Sequence, residues 1–116
     1  QAKPSLRQAI ITLRFASFNQ SEPIIVFPYT DEETTQGDML AWETTIAQDL
    51  AALYAKATTI TGKATFTDTT IANIEVRVLN DENGTILVYG LTPNNVLVIA
   101  PTTEAFMQVM DAGFNR

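Results

Sequence analysis

Two periodicities divide the chain. Over Asp38–Lys56 the large apolar residues Met39, Trp42, Ile46, Leu50 and Leu53 recur at three- and four-residue intervals. That spacing places them on one stripe of an α-helix. Ala47, Ala51 and Ala52 flank the stripe and permit close approach to whatever lies beneath. Asp38 or Thr35 is positioned to cap the first turn, and Lys56 lies near the negative end of the helix dipole. A stripe this apolar needs a surface to cover, so a sheet is expected beside it.

Elsewhere the period is two. Leu6–Phe18 reads as a strand, with Ile11, Leu13 and Phe15 on one face. Pro23–Pro28 reads as a short strand, apolar on both faces and bounded by prolines, which suits a sheet edge. Tyr29–Gly37 reads as an acidic loop leading into the helix. Thr58–Thr67 alternates, with Ile60, Gly62, Ala64 and Phe66 on one side. Ile71–Leu79 alternates with Ile74, Val76 and Val78 inward and Asn73, Glu75 and Arg77 outward. Asn80–Gly84 is a hairpin turn, because Asn83-Gly84 tolerates positive φ. Thr85–Leu91 and Val96–Ala100 are further strands, separated by a Thr92-Pro93-Asn94-Asn95 turn. Thr102 or Thr103 then caps a second, short helix with the stripe Phe106, Val109 and Met110, and Gly113 is its expected stop.

These elements predict an α+β fold. An antiparallel β-meander of about five or six strands, in the order β-β-α-β-β-β-β-α, is packed by one long and one short helix. The 116 residues form one domain, with residues 1–5 as an arm. A hydrophobic fraction of 46% and a mean hydropathy of +0.06 fit a chain with its own core.

Charge adds a second layer. The net charge of −6 argues against nucleic acid and anionic membrane as partners, since both require a cationic face. The charge is split along the chain. Residues 1–14 carry Lys3, Arg7 and Arg14 and no acid, while four cations and all 13 acids fall in the remainder. Only 17% of residues are charged, and many strand positions are Thr. A surface of this kind is weakly hydrated. No apolar run approaches the length of a bilayer span.

The catalytic repertoire is narrow. The chain contains neither His nor Cys. A Ser–His–Asp arrangement and a thiolate metal site are therefore unavailable. No glycine-rich phosphate loop is present. Carboxylates remain, at Asp31, Glu32, Glu33 and Asp38 and again at Asp81 and Glu82. They read as a solvated loop and an exposed turn, without the alternating pattern of a calcium loop. Trp42 reads as core. Tyr54 and Tyr89 read as partner contacts or as half-buried core edges with hydroxyls reaching water. Asn83-Gly84-Thr85 matches a glycosylation sequon, but the turn accounts for Asn-Gly.

The expectation is a non-enzymatic protein without cofactor or metal that self-associates into a larger particle, ring or filament. Small virion tail or capsid components have this general character. Copies are expected to pack through sheet edges and through the basic arm. Lys3, Arg7 and Arg14 of one copy would meet Asp31, Glu32 and Glu33 of another. Such a contact is heterologous and does not close into a dimer. The alternative is a monomeric binding module for a small ligand or protein partner, and a weaker one is a small carboxylate-dependent enzyme.

Overall fold

A computed structural model describes residues 24–51, 54, 60 and 62–111. The expected arm, the strand at 6–18, and Leu53, Lys56 and Gly113 lie outside the described residues.

Five antiparallel strands form one sheet. They are β1 (Ile25–Pro28), β2 (Thr65–Ile71), β3 (Ile74–Asp81), β4 (Gly84–Leu91) and β5 (Val96–Ala100). Their spatial order is β1-β5-β4-β3-β2. Strands β2 to β5 are a meander, and β1 joins it beyond β5 in the register Ile25↔Ile99 to Pro28↔Val96. The helices are α1 (Glu32–Trp42), α2 (Ile46–Asp49) and α3 (Thr103–Val109). The α+β class and the antiparallel sheet agree with the sequence pattern.

The single long helix is corrected to two. Helix α1 begins six residues early, because Asp31 rather than Asp38 or Thr35 is its N-cap. The Asp31 carboxylate accepts from the Thr34 backbone N–H at 3.3 Å and from the Thr34 hydroxyl. Glu32 and Glu33 then occupy the first turn, where the helix dipole favours negative charge. The expected acidic loop is therefore largely helix. The helix breaks at Glu43-Thr44-Thr45. Thr44 and Thr45 are β-branched and poor helix formers. Asp49 bridges the break, accepting from the Trp42 indole N–H at 2.7 Å and from the Thr45 hydroxyl at 3.1 Å. The stripe survives it, with Met39, Trp42, Ile46 and Leu50 all buried.

Strand boundaries also shift, with β3 running over Ile74–Asp81 rather than Ile71–Leu79. The connection between the strands expected at Thr58–Thr67 and Ile71–Leu79 is the Ala72-Asn73 turn, both residues at positive φ of 52° and 67°. This two-residue connection moves β2 to Thr65–Ile71, so Thr67, Asp68, Thr69 and Thr70 are strand. A hairpin turn forms within the expected Asn80–Gly84 stretch but is shorter, since Asn80 and Asp81 belong to β3 and Gly84 opens β4. Gly84 takes φ 125° there, a conformation that strongly favours glycine. A β-bulge follows: Leu79 pairs with Leu87 and Asn80 with Thr85. Ile86 is the extra residue, and it joins Leu87 and Tyr89 in one core cluster.

Both faces of the central strands are buried within the chain. Helices α1 and α2 lie over Ile25, Leu79, Ile86, Leu87, Leu97 and Ile99. Helix α3 covers the other face, where Phe106 and Met110 meet Val76, Val78, Val88, Val98 and Ala100. Thr102 is the α3 cap, accepting from the Ala105 N–H at 3.0 Å. The two-sided apolar pattern of β5 is thus satisfied internally.

Candidate functional site

The polar side chains of the α1 face converge at the end of α1. Glu43, the first residue after the helix, lies four residues after Met39 and three before Ile46. It therefore shares the stripe that faces the sheet. Arg77 of β3 and Tyr89 of β4 are direct cross-strand partners on that face. Arg77 clasps Glu43 with two parallel bonds: Nε and Nη2 donate to the two carboxylate oxygens, each at 2.8 Å. Its Nη1 donates to Asp68 of β2 at 3.0 Å. The Tyr89 hydroxyl donates to Glu43 Oε2 at 2.5 Å. The ring of Phe66 closes the group, edge-on to Tyr89 at 5.9 Å between centroids and 5.6 Å from the Arg77 guanidinium carbon.

Burial sharpens these bonds. The Glu43 side chain is 12% exposed and that of Arg77 29%, whereas Asp68 is 82% exposed. Desolvation, and then the bond to Glu43, push the Tyr89 phenol well above its ordinary range. The bond to Glu43 holds Arg77 firmly in its charged form. The arrangement keeps Tyr89 protonated and Arg77 cationic, so neither serves as a general base.

A cleft of about 280 Å³ opens beside this network. Glu32 and Gln36 of α1 form one wall. Asn73, Ile74 and Glu75 of the β2–β3 hairpin and Thr92, Pro93 and Asn95 of the β4–β5 turn form the others, with Arg77 and Tyr89 at its inner side. The Tyr29 hydroxyl donates to the Thr92 carbonyl at 3.1 Å and fixes the turn under the helix. Burial and the nearby Glu32 carboxylate raise the Tyr29 phenol. The Thr92 hydroxyl, in a residue 3% exposed, has no hydrogen-bond partner among the described residues.

Of the residues expected at an interface, Asp31, Glu32 and Glu33 are together at the start of α1 and exposed. Asp31 is engaged in capping, and Glu32 also lines the cleft. Lys3, Arg7 and Arg14 lie outside the described residues. Trp42 is core, as its position on the stripe implied. Tyr89 and Tyr54 are not half-exposed edges: both are buried, and the Tyr54 hydroxyl donates to the Ile99 carbonyl at 3.2 Å. Arg77, expected on an outward face, points under α1 because both faces of the central strands are covered. Glu43 was detectable in the sequence, since an acid on an apolar stripe requires a partner. Which partner it meets is set by tertiary packing.

Comparisons with protein-family models, with curated proteins and with solved structures found no match for this chain.

Proposed function

We propose that this chain is a non-enzymatic structural protein whose identical copies associate into a larger particle, ring or filament. The supporting observation is the outer edge of the sheet at β2. Among the described residues this seven-residue strand has one neighbour, β3, and Thr65, Thr67, Asp68, Thr69 and Thr70 are all exposed. An edge this long, without Lys or Pro, is a template for pairing with another chain. A second contribution comes from charge. Glu32 and Glu33 are exposed and lack ion-pair partners among the described residues, and the segment with Lys3, Arg7 and Arg14 carries the opposite sign. The test is mass in solution by sedimentation over a wide concentration range, in low and high salt. Mass that rises with concentration supports the reading. A sharp monomer under every condition overturns it. If deleting residues 1–7 leaves association unchanged, the basic arm has no docking role.

The cleft favours a second reading, a monomeric binding module. Its lining of amides, carboxylates and a buried hydroxyl suits a small polar ligand. A monomeric protein whose melting temperature rises with a small polar compound, an effect lost in Gln36→Trp, would favour this reading over assembly.

A further inference from the structure

We infer that β2 pairs with itself: two copies join antiparallel about a two-fold axis through Asp68, extending the five-stranded sheet across the junction. This inference rests on the assembly reading and names one of its contacts: a two-fold junction closes a pair, and growth beyond the pair requires a second, heterologous contact such as that of the basic arm. The Ala72-Asn73 turn, with both residues at positive φ, makes Ile71 and Ile74 a hydrogen-bonded pair. The register is unbroken along the hairpin. The backbone groups of Thr65, Thr67, Thr69 and Ile71 are therefore directed at β3. Those of Phe66, Asp68 and Thr70 are directed at the edge that is open among the described residues.

That outward set is symmetric about Asp68. A two-fold axis there sets Asp68 opposite Asp68, and Phe66 opposite Thr70 in both directions. Every outward N–H and C=O then meets its complement. Axes displaced by one residue toward either end leave one outward residue of each copy unmatched. Thr67 faces Thr69 of the second copy, a favourable cross-strand pair. The other edge is a poorer acceptor. Strand β1 has four residues, and Pro28 lacks an N–H at one outward position.

Charge sets the strength of the contact. The two Asp68 carboxylates face each other, and like charges directly opposite are unfavourable. Each is bridged by its own Arg77, which blunts the repulsion without removing it. One strand pair also buries less than the roughly 1,200 Å² of a standard interface, so the association is weak and concentration-dependent.

Sedimentation equilibrium of the full chain, from about ten micromolar to about a millimolar, tests this in the range of weak complexes. Thr70→Pro deletes one outward N–H per copy without touching the β3 ladder. It is expected to weaken dimerisation at least about tenfold while the near-ultraviolet circular dichroism stays unchanged. Asp68→Asn removes the opposed charges and is expected to tighten the dimer several-fold. Val26→Pro, on the opposite edge, is expected to leave it unchanged. If Thr70→Pro associates as the parent does, or Val26→Pro weakens association equally, the β2 edge is not the interface, though the assembly reading stands. Unchanged or weaker association of Asp68→Asn overturns the axis through Asp68. Loss of association only on deleting residues 1–7 assigns the contact to the arm. A parent chain that is monomeric throughout overturns both readings.

Discussion

The two faces of the sheet are closed by different chemistry. Under α3 the contacts are aliphatic and aromatic, and the fit is one of shape: a Cβ at Gly90 would lie 2.8 Å from Val76 and 3.0 Å from the Phe106 ring. Under α1 and α2 the apolar contacts are equally buried, but side-chain hydrogen bonds also cross or brace the layer, the Arg77–Glu43 pair among them. Tyr29 holds Thr92, Tyr54 holds Ile99, Tyr89 holds Glu43, and Trp42 holds Asp49. Hydrophobic burial is non-directional, so it supplies adhesion on both faces. Hydrogen bonds to fixed acceptors set position, and they are concentrated on the face with the broken helix. A seven-residue helix such as α3 sits in one groove. The longer, kinked layer needs its kink placed, and the Glu43–Arg77 clasp lies at that kink.

Phe106→Ala is expected to cost the most, about 3–5 kcal/mol, because it empties a fully buried site that α3 cannot collapse to fill. Denaturant unfolding measures it, and a loss under about 1 kcal/mol would mean that this face is not close-packed. Glu43→Ala is expected next, at about 2–4 kcal/mol, since it strands the half-buried Arg77 and the Tyr89 hydroxyl together. Replacing both charges, as in Glu43→Leu with Arg77→Met, is expected to recover most of that loss. If the double variant is as unstable as Glu43→Ala, the clasp has a net stabilising role beyond mutual neutralisation.

Gly90→Ala is expected to cost about 1–3 kcal/mol through overpacking. Combined with Phe106→Leu, which relieves the close approach, the two changes are expected to be less than additive. Strict additivity would separate Gly90 from the α3 face. Tyr89 gives the polar face a pH signature. Its phenol is raised in the folded chain, so above about pH 10 the unfolded chain loses a proton that the folded one keeps. Stability therefore falls as pH rises, by about 1.4 kcal/mol per unit for this group, and Tyr29 adds to the slope in the same direction. Tyr89→Phe is expected to be less stable at neutral pH by about 1 kcal/mol, with a shallower alkaline decline. Thr92→Val is the smallest change: it replaces a hydroxyl without a partner among the described residues by a methyl of similar shape, so equal or slightly greater stability is expected. A clear loss would place a hydrogen-bonded group against that hydroxyl in solution.

The elements themselves were legible in the residues. The helical stripe from Met39 to Leu50, the Asn83-Gly84 and Thr92–Asn95 turns, the bounds of β5 and the Thr102 cap all follow from local rules of period, turn chemistry and capping. The errors fell where two local rules competed. Asp31 and Asp38 both suit an N-cap, and Thr34 decides for Asp31 by supplying both its N–H and its hydroxyl. Thr58–Thr67 alternates and Thr65–Ile71 does not, yet the register with β3 selects the second. The candidate site was least legible. Glu43, Arg77 and Asp68 come from three separate segments: Arg77 and Asp68 each read alone as a solvent charge, and Glu43 reveals only that it needs a partner.

The sequence alone determined that this chain forms helices over an antiparallel sheet, and that it carries neither thiol nor imidazole for chemistry. Those properties depend on residue type and on spacings of a few positions. Tertiary structure decided that both faces of the central strands are covered, that Arg77 lies beneath α1 rather than in water, and that β2 ends the described sheet with its outward groups centred on Asp68. Those properties depend on which strand lies beside which, a choice made by burial across residues far apart in the chain, so no local pattern encodes it.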